Sequence, residues 1–74
     1  MNVGQKLKEL RETKNQTQET VAQVLLCSRI VYNRYENDKR QIPLECLAKL
    51  AVYYKVSLDY ICGIEDEFGN KVYE

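Results

Sequence analysis

Apolar residues recur along the chain at the three- and four-residue spacing of helices, and polar segments divide them into five stretches. In the first stretch, Val3, Leu7 and Leu10 share one face among charged residues, which predicts an amphipathic helix. The whole pattern predicts five short helices, over about residues 2–14, 18–25, 29–36, 43–54 and 57–63. Short polar connections between these helices predict an all-α bundle.

Residues that favour helix starts stand before the later helices. Thr17, Ser28 and Ser57 are predicted N-caps, because their short side chains accept hydrogen bonds from free N–H groups of a first helical turn. Pro43 suits the first turn of the fourth helix, where the N–H that proline lacks would have no partner. The short connection between the second and third helices is typical of a helix-turn-helix.

The second and third stretches also meet the packing demands of a helix-turn-helix. Two helices that cross closely need a small residue at the crossing, and Ala22 supplies one. The side chains that would wedge the crossing from its two sides are Val21, Leu25, Cys27, Tyr32 and Tyr35. We expect these side chains to be buried and the opposite face of the third helix to be exposed.

The predicted exposed face of the third helix carries side chains that suit base pairs. Its residues stand at positions i, i+1, i+4 and i+5 and are Arg29, Ile30, Asn33 and Arg34. An arginine fork matches guanine, an asparagine amide matches adenine, and an aliphatic group contacts the thymine methyl. The pattern predicts base contacts in double-stranded DNA.

Several short motifs together resemble the lambda-repressor/Cro-like helix-turn-helix family, also called the Xre family. They are Gly4-x-x-Leu7-Lys8-x-Leu10-Arg11, Thr17-Gln18-Glu19, Ser28-Arg29, Arg34-Tyr35-Glu36-Asn37, Lys39-Arg40 and Val56-Ser57-Leu58-Asp59-Tyr60. The resemblance implies a lambda-repressor-like bundle of five helices over residues 1–63. It also implies a sequence-specific DNA-binding transcriptional regulator, and we expect a Cro-like repressor that acts by occupying its operator.

The resemblance further implies roles for residues around the third helix. The implied phosphate contacts are Gln18, Ser28, Asn37, Lys39 and Arg40. Gln18 would also brace Arg29, the first residue of the third helix. Arg11 and Glu36 resemble the family's partly buried ion pair, which links the first helix to the end of the third.

Two positions depart from the family's pattern. Leu26 stands in the turn where the family usually has glycine, so it must adopt a costly positive φ or change the turn. Asp38 replaces the glycine of an Asn-Gly-Lys loop; it tolerates the left-handed region but adds negative charge beside the phosphates. We expect the fold to survive both changes and the affinity for DNA to be more sensitive to them.

The formal net charge is zero, yet the charges are unevenly distributed. Residues 1–40 hold eight basic and five acidic residues, whereas residues 41–74 hold three basic and six acidic ones. A basic half suggests a face for a polyanion. The strongest alternative is a helix-turn-helix module, or an antitoxin-type binder, that recognises another protein, because a neutral chain is not an obvious DNA binder.

The composition argues against an enzyme, a metalloprotein or a membrane protein. Histidine is absent, and the cysteines Cys27, Cys46 and Cys62 form no C-x-x-C pair. The sequence contains no phosphate-binding loop and no nucleophile–base pair. We expect no catalytic residue, metal, cofactor, small-molecule effector or membrane partner. The lack of a long apolar run or secretory signal predicts a cytoplasmic location.

The predicted domain is small, and we expect two copies to bind DNA together. One such module buries little DNA surface, whereas a twofold homodimer would read a pseudo-palindromic operator. Candidate interface residues in the fifth helix and the tail are Leu58, Tyr60, Ile61, Phe68 and Val72. The tail itself, residues 64–74, is a short acidic and apolar segment and a possible dimer contact.

Overall fold

The computed structural model describes residues 3–62, and this part of the chain folds into five helices without a strand. The helices are α1 (Val3–Thr13), α2 (Gln18–Val24), α3 (Arg29–Glu36), α4 (Leu44–Tyr54) and α5 (Leu58–Ile61). Each predicted helix is present, and the first four lie within one or two residues of their predicted bounds. The predicted all-α bundle is therefore confirmed.

The helix starts follow the capping rules of the sequence. The hydroxyls of Thr17, Ser28 and Ser57 each accept a hydrogen bond from a backbone N–H three residues further on. The prediction for Pro43 was wrong by one position, because Pro43 is the extended N-cap residue and α4 begins at Leu44. A proline at the N-cap supplies no side-chain acceptor, so α4 starts without a side-chain cap.

The core lies where α1, α4 and α5 close over the helix-turn-helix formed by α2 and α3. The largest side chains that are fully buried are Tyr32, Leu7, Leu50, Ile61 and Val21. Ala22 is buried at the α2–α3 contact, with Leu25 and Tyr35 buried around it and Cys27 half-buried. The predicted wedge between α2 and α3 is confirmed.

The C-terminal ends of α1, α2, α3 and α4 share one geometry. After each helix, one residue adopts the left-handed conformation at a φ of 56–58°, and these residues are Asn15, Leu26, Asp38 and Lys55. The next residue donates its N–H to a carbonyl five positions earlier, as Cys27 does to Ala22. This is the Schellman motif, in which glycine is the usual left-handed residue. Leu26 thus adopts the costly positive φ and leaves the turn geometry unchanged.

The start of α1 lies directly against the end of α3. The Gly4 N–H donates to Asp38 Oδ1 at 3.2 Å. A Cβ at Gly4 would lie 2.8 Å from the Tyr35 carbonyl oxygen and closer still to that of Glu36. Glycine is therefore required for this approach of the two helices, which keeps α1 next to the end of α3.

Helix α5 corrects one expectation about the dimer interface. Ile61 is fully buried in the core of this chain, so its side chain is not available to a second copy. Tyr60 is half-buried, and the Lys6 ammonium lies 4.6 Å from the centre of its ring. Leu58 is 36% exposed. The other two candidates, Phe68 and Val72, and the whole tail at 64–74 lie outside the described residues.

Among residues 3–62, no helix combines the length and the apolar character that crossing a bilayer requires.

Candidate nucleic-acid interface

Helix α3 exposes all four of the predicted base-reading residues. This outer face of α3 consists of Arg29, Ile30, Asn33 and Arg34. Ile30 is 63% exposed, although it is a large aliphatic residue in a well-packed domain. The opposite, inner face of α3 consists of Tyr32, Tyr35 and Glu36, which are buried. The sequence pattern therefore assigned the two faces of α3 correctly.

The residues predicted to contact phosphates lie at both ends of α3 and at the start of α2. Ser28, Lys39 and Arg40 are exposed, and the Ser28 hydroxyl accepts the Val31 N–H while its own hydrogen stays available to donate. Gln18 is half-buried in the first turn of α2. Asn37 is exposed at the C-terminal end of α3.

The predicted ion pair between α1 and α3 is present. Arg11 Nε donates to Glu36 Oε2 at 2.7 Å, and Arg11 Nη2 donates to Glu36 Oε1 at 3.2 Å. The pair is well shielded, because the side chains of Arg11 and Glu36 are only 13% and 2% exposed. Arg11 Nη1 also donates to the Gln16 carbonyl at 2.9 Å, which ties the α1–α2 connection to the same guanidinium.

These contacts keep the buried Glu36 carboxyl ionised. Burial alone would raise the pKa of Glu36, but the surrounding hydrogen bonds, above all that from Arg11, hold its pKa below the ordinary value of 4.5. The pKa of Arg11 is raised in turn, chiefly by its hydrogen bond to Glu36. Burial also raises the pKa of Tyr32 on the same face of α3, so its hydroxyl stays protonated.

A chain of side-chain amides extends from this carboxylate to the outer face of α3. Gln18 Nε2 donates to Glu36 Oε1 at 3.1 Å, and Gln18 Oε1 accepts from Asn33 Nδ2 at 3.2 Å. Asn37 Nδ2 donates to Asn33 Oδ1 at 3.2 Å and to the Asn33 carbonyl at 2.9 Å. Gln18 therefore braces Asn33 in this structure, where the resemblance had implied Arg29.

The Asp38 carboxylate lies against α1. Its Oδ1 accepts the Gly4 N–H in the first turn of α1, where the helix dipole is positive. The negative charge that the loop sequence had placed beside the phosphates is therefore partly satisfied within the domain.

Sequence reasoning missed the amide chain, although part of it left a signal. Asn33 and Asn37 stand four residues apart, a spacing at which amide side chains meet on a helix. The bond between Gln18 and Asn33 joins residues fifteen positions apart. This hydrogen bond depends on how α2 crosses α3, so no local sequence pattern indicates it.

The three cysteines form no disulfide with one another and are half-buried. Burial raises the pKa values of the Cys27 and Cys62 thiols, which keeps them in the neutral form. Within residues 3–62, no cluster of three or more cysteine or acidic side chains is arranged to hold a metal ion.

Three curated proteins with similar sequences are named as transcriptional regulators. The chain is 37% identical over 68 residues to the uncharacterised HTH-type transcriptional regulator YobD of Bacillus subtilis, covering 92% of this chain and 61% of YobD. It is 37% identical over 71 residues to the HTH-type transcriptional regulator ImmR of the same organism, covering 96% of this chain and 55% of ImmR. It is also 32% identical over 66 residues to the HTH-type transcriptional activator BcrR of Enterococcus faecalis, covering 89% of this chain and 32% of BcrR.

The chain thus spans about three fifths or less of the length of these curated relatives. No solved structure matches it. A sequence model of the helix-turn-helix family matches residues 7–61, which include α2, α3 and most of the bundle around them. The resemblance stated from the sequence is confirmed, and the chain belongs to this helix-turn-helix family.

Proposed function

We propose that this chain is a transcriptional regulator that binds double-stranded DNA in a sequence-specific manner, with α3 in the major groove. Function as a binding module without catalytic activity, in the cytoplasm, is part of this proposal. The relatives are named as HTH-type regulators of transcription, and the helix-turn-helix family model matches residues 7–61 of this chain.

One observation carries the proposal: α3 presents basic and base-matching groups to solvent and turns its acidic residue inwards. Glu36 is the one acidic residue between Arg29 and Glu36, and it is buried against Arg11. Arg29 and Arg34 are exposed on α3, and Lys39 and Arg40 follow in an exposed loop. The exposed charged side chains of α3 are therefore all basic although the whole chain is neutral, which suits an approach to phosphates.

The direct experiment is selection from a random duplex pool at two salt concentrations, followed by sequencing. We expect an enriched motif and an affinity that falls steeply with salt, because each phosphate contact releases condensed counterions. The single changes Arg29→Ala and Arg34→Ala should each relax the motif at one position, at a cost of about 1–3 kcal/mol.

Lys39→Ala is the matched control within the same surface. Loss of a phosphate contact should weaken binding to all sequences alike. A folded protein that enriches no motif would contradict the proposal and favour the protein-binding alternative, which a pull-down from lysate would then pursue.

We further propose that the chain binds a pseudo-palindromic operator as a homodimer. A single small module buries too little DNA surface for tight specific binding, which favours two copies. Leu58 on α5 is a partly exposed apolar side chain that could contact a second copy. Sedimentation of the Leu58→Glu variant should show a shift toward monomer, and an unchanged dimer would exclude α5 as the interface. Repression by occupancy remains the expected mode, and a reporter assay decides it, since one relative is named an activator.

A further inference from the structure

We propose that Glu36 fixes the order in which Asn33 presents its oxygen and nitrogen to DNA, acting through Gln18, and that Asn37 is a positioning residue for Asn33. This inference rests on the proposed function. It assigns Asn37 a different role from the phosphate contact that the family resemblance implied.

The chain of reasoning starts at a group that can only accept hydrogen bonds. An ionised carboxylate has no hydrogen to donate, so the side chain facing Glu36 Oε1 must present a donor. Gln18 meets this requirement with Nε2 at 3.1 Å. An amide carries its oxygen on the side opposite to its nitrogen, so Gln18 Oε1 is turned toward α3.

The same argument sets the next amide. Gln18 Oε1 is also an acceptor, so Asn33 must present Nδ2 to it, at 3.2 Å. Asn33 Oδ1 then lies on the other side, where it accepts from Asn37 Nδ2 at 3.2 Å. Each amide in this chain has one orientation that satisfies both neighbours, and a flip of any one of them places oxygen against oxygen or nitrogen against nitrogen.

Asn33 keeps one hydrogen and one lone pair for a base, in a fixed order. Adenine offers an amino group and an acceptor nitrogen in the major groove, whereas guanine offers two acceptors. An amide that is free to rotate can turn either its nitrogen or its oxygen toward a base. A fixed Asn33 amide places its own oxygen against the O6 of a guanine, and the two oxygens repel each other. The fixed order therefore discriminates an amino from a keto group at the position that Asn33 faces.

Asn37, unlike Asn33, uses both of its amide hydrogens within the domain. Its two amide hydrogens match the two acceptors that it contacts, Asn33 Oδ1 at 3.2 Å and the Asn33 carbonyl at 2.9 Å. Its backbone N–H also donates to the Asn33 carbonyl, at 3.1 Å. Only the Asn37 Oδ1 atom is left for a partner outside the domain, and a negatively charged phosphate repels this oxygen.

The first test uses the free protein and nuclear magnetic resonance of its side-chain amides. We expect restricted motion of the Asn33 side-chain amide in relaxation measurements, and larger motion of that amide in the Gln18→Ala variant. Gln23→Ala is the matched control, because Gln23 is an exposed glutamine on the same helix. Equal motion of the Asn33 amide in the parent and in Gln18→Ala would overturn the inference.

The second test measures base preference with the full chain. Gln18→Ala, Asn37→Ala and Glu36→Gln should each reduce discrimination at one base pair by about fivefold or more, because a fixed amide is what separates the bases there. Thermal melting of each variant establishes that it is folded. Glu36→Gln removes a buried charge, so Gln18→Ala carries the test if that variant unfolds.

Lys39→Ala again supplies the contrast. If Asn37→Ala weakens binding to all sequences as Lys39→Ala does, Asn37 is a phosphate contact and the inference is overturned while the proposed function stands. If the parent chain enriches no motif at all, the proposed function and the inference both fail.

Discussion

The two faces of helix α3 share eight residues and follow different physical rules. The inner face packs into the core and holds a shielded ion pair, whereas the outer face exposes Arg29, Ile30, Asn33 and Arg34. Changes on the inner face act on folding, because they create cavities or unpaired buried charge. Changes on the outer face act on binding and leave stability nearly unchanged. The exception is Asn33, an outer residue joined through Gln18 to the inner carboxylate.

The largest effect is expected from Arg11→Ala, which removes the α1 partner of Glu36 on the inner face of α3. Removing the guanidinium leaves the Glu36 carboxylate buried without its strongest donor, which should cost about 3–5 kcal/mol of unfolding free energy. Denaturant unfolding followed by circular dichroism measures it.

The double variant Arg11→Met with Glu36→Leu is the control for this change. Replacement of both charges by apolar groups should recover much of the loss, because no charge is then left unpaired. A single variant as stable as the parent would show that the pair contributes nothing to folding.

The outer face should give the next largest effect, on affinity and not on folding. Arg34→Ala should lower affinity for the preferred duplex by about 1–3 kcal/mol. Its unfolding free energy should stay within about 0.5 kcal/mol of the parent, since an exposed side chain is lost. Parallel binding and unfolding curves test the separation, and a large loss of stability would remove the distinction between the two faces.

Low pH should destabilise the fold by protonating Glu36 on the inner face of α3. The pKa of Glu36 is lower in the folded chain than its ordinary value of 4.5, so folding favours the ionised form. The resulting stability is fully present above pH 4.5 and declines as the pH falls through the folded-state pKa.

Unfolding curves at several pH values should therefore show a slope in this acidic range that is smaller in the Arg11→Met, Glu36→Leu double variant. An identical slope in the two proteins would assign the acid sensitivity to other carboxyl groups.

The smallest expected effect lies in the turn between α2 and α3, and its sign is opposite. Leu26 adopts a φ of 57°, which strains its backbone, and its side chain is 85% exposed, so it contributes little packing. Leu26→Gly should stabilise the domain by about 0.5–1 kcal/mol, because relief of the left-handed strain exceeds the added entropy of the unfolded chain. A higher melting temperature with unchanged DNA preference would agree with this, and a lower one would show that Leu26 has contacts worth keeping.

The sequence predicted the features that depend on local patterns and recognisable motifs along the chain. Helix periodicity gave the elements, Ser and Thr caps gave three helix starts, and the family motifs gave the pair between Arg11 and Glu36. It did not predict the burial of Ile61, because the apolar residues of a four-residue helix look alike until the bundle closes over one of them. Nor did it predict the bond between Gln18 and Asn33, which depends on the crossing of two helices.

The ends of α1, α2, α3 and α4, which lack glycine, affect how the outer face of α3 can change over time. New base preferences arise from substitutions on the outer face of α3, and some of these carry a stability cost through Asn33 and its partners. Leu26 and Lys55 are left-handed positions outside that network, where a single change to glycine should add stability. A lineage that acquires such a change could tolerate substitutions at Asn33 and its partners that would otherwise lower stability too far, so the strain in these two turns is an unused capacity for the evolution of specificity.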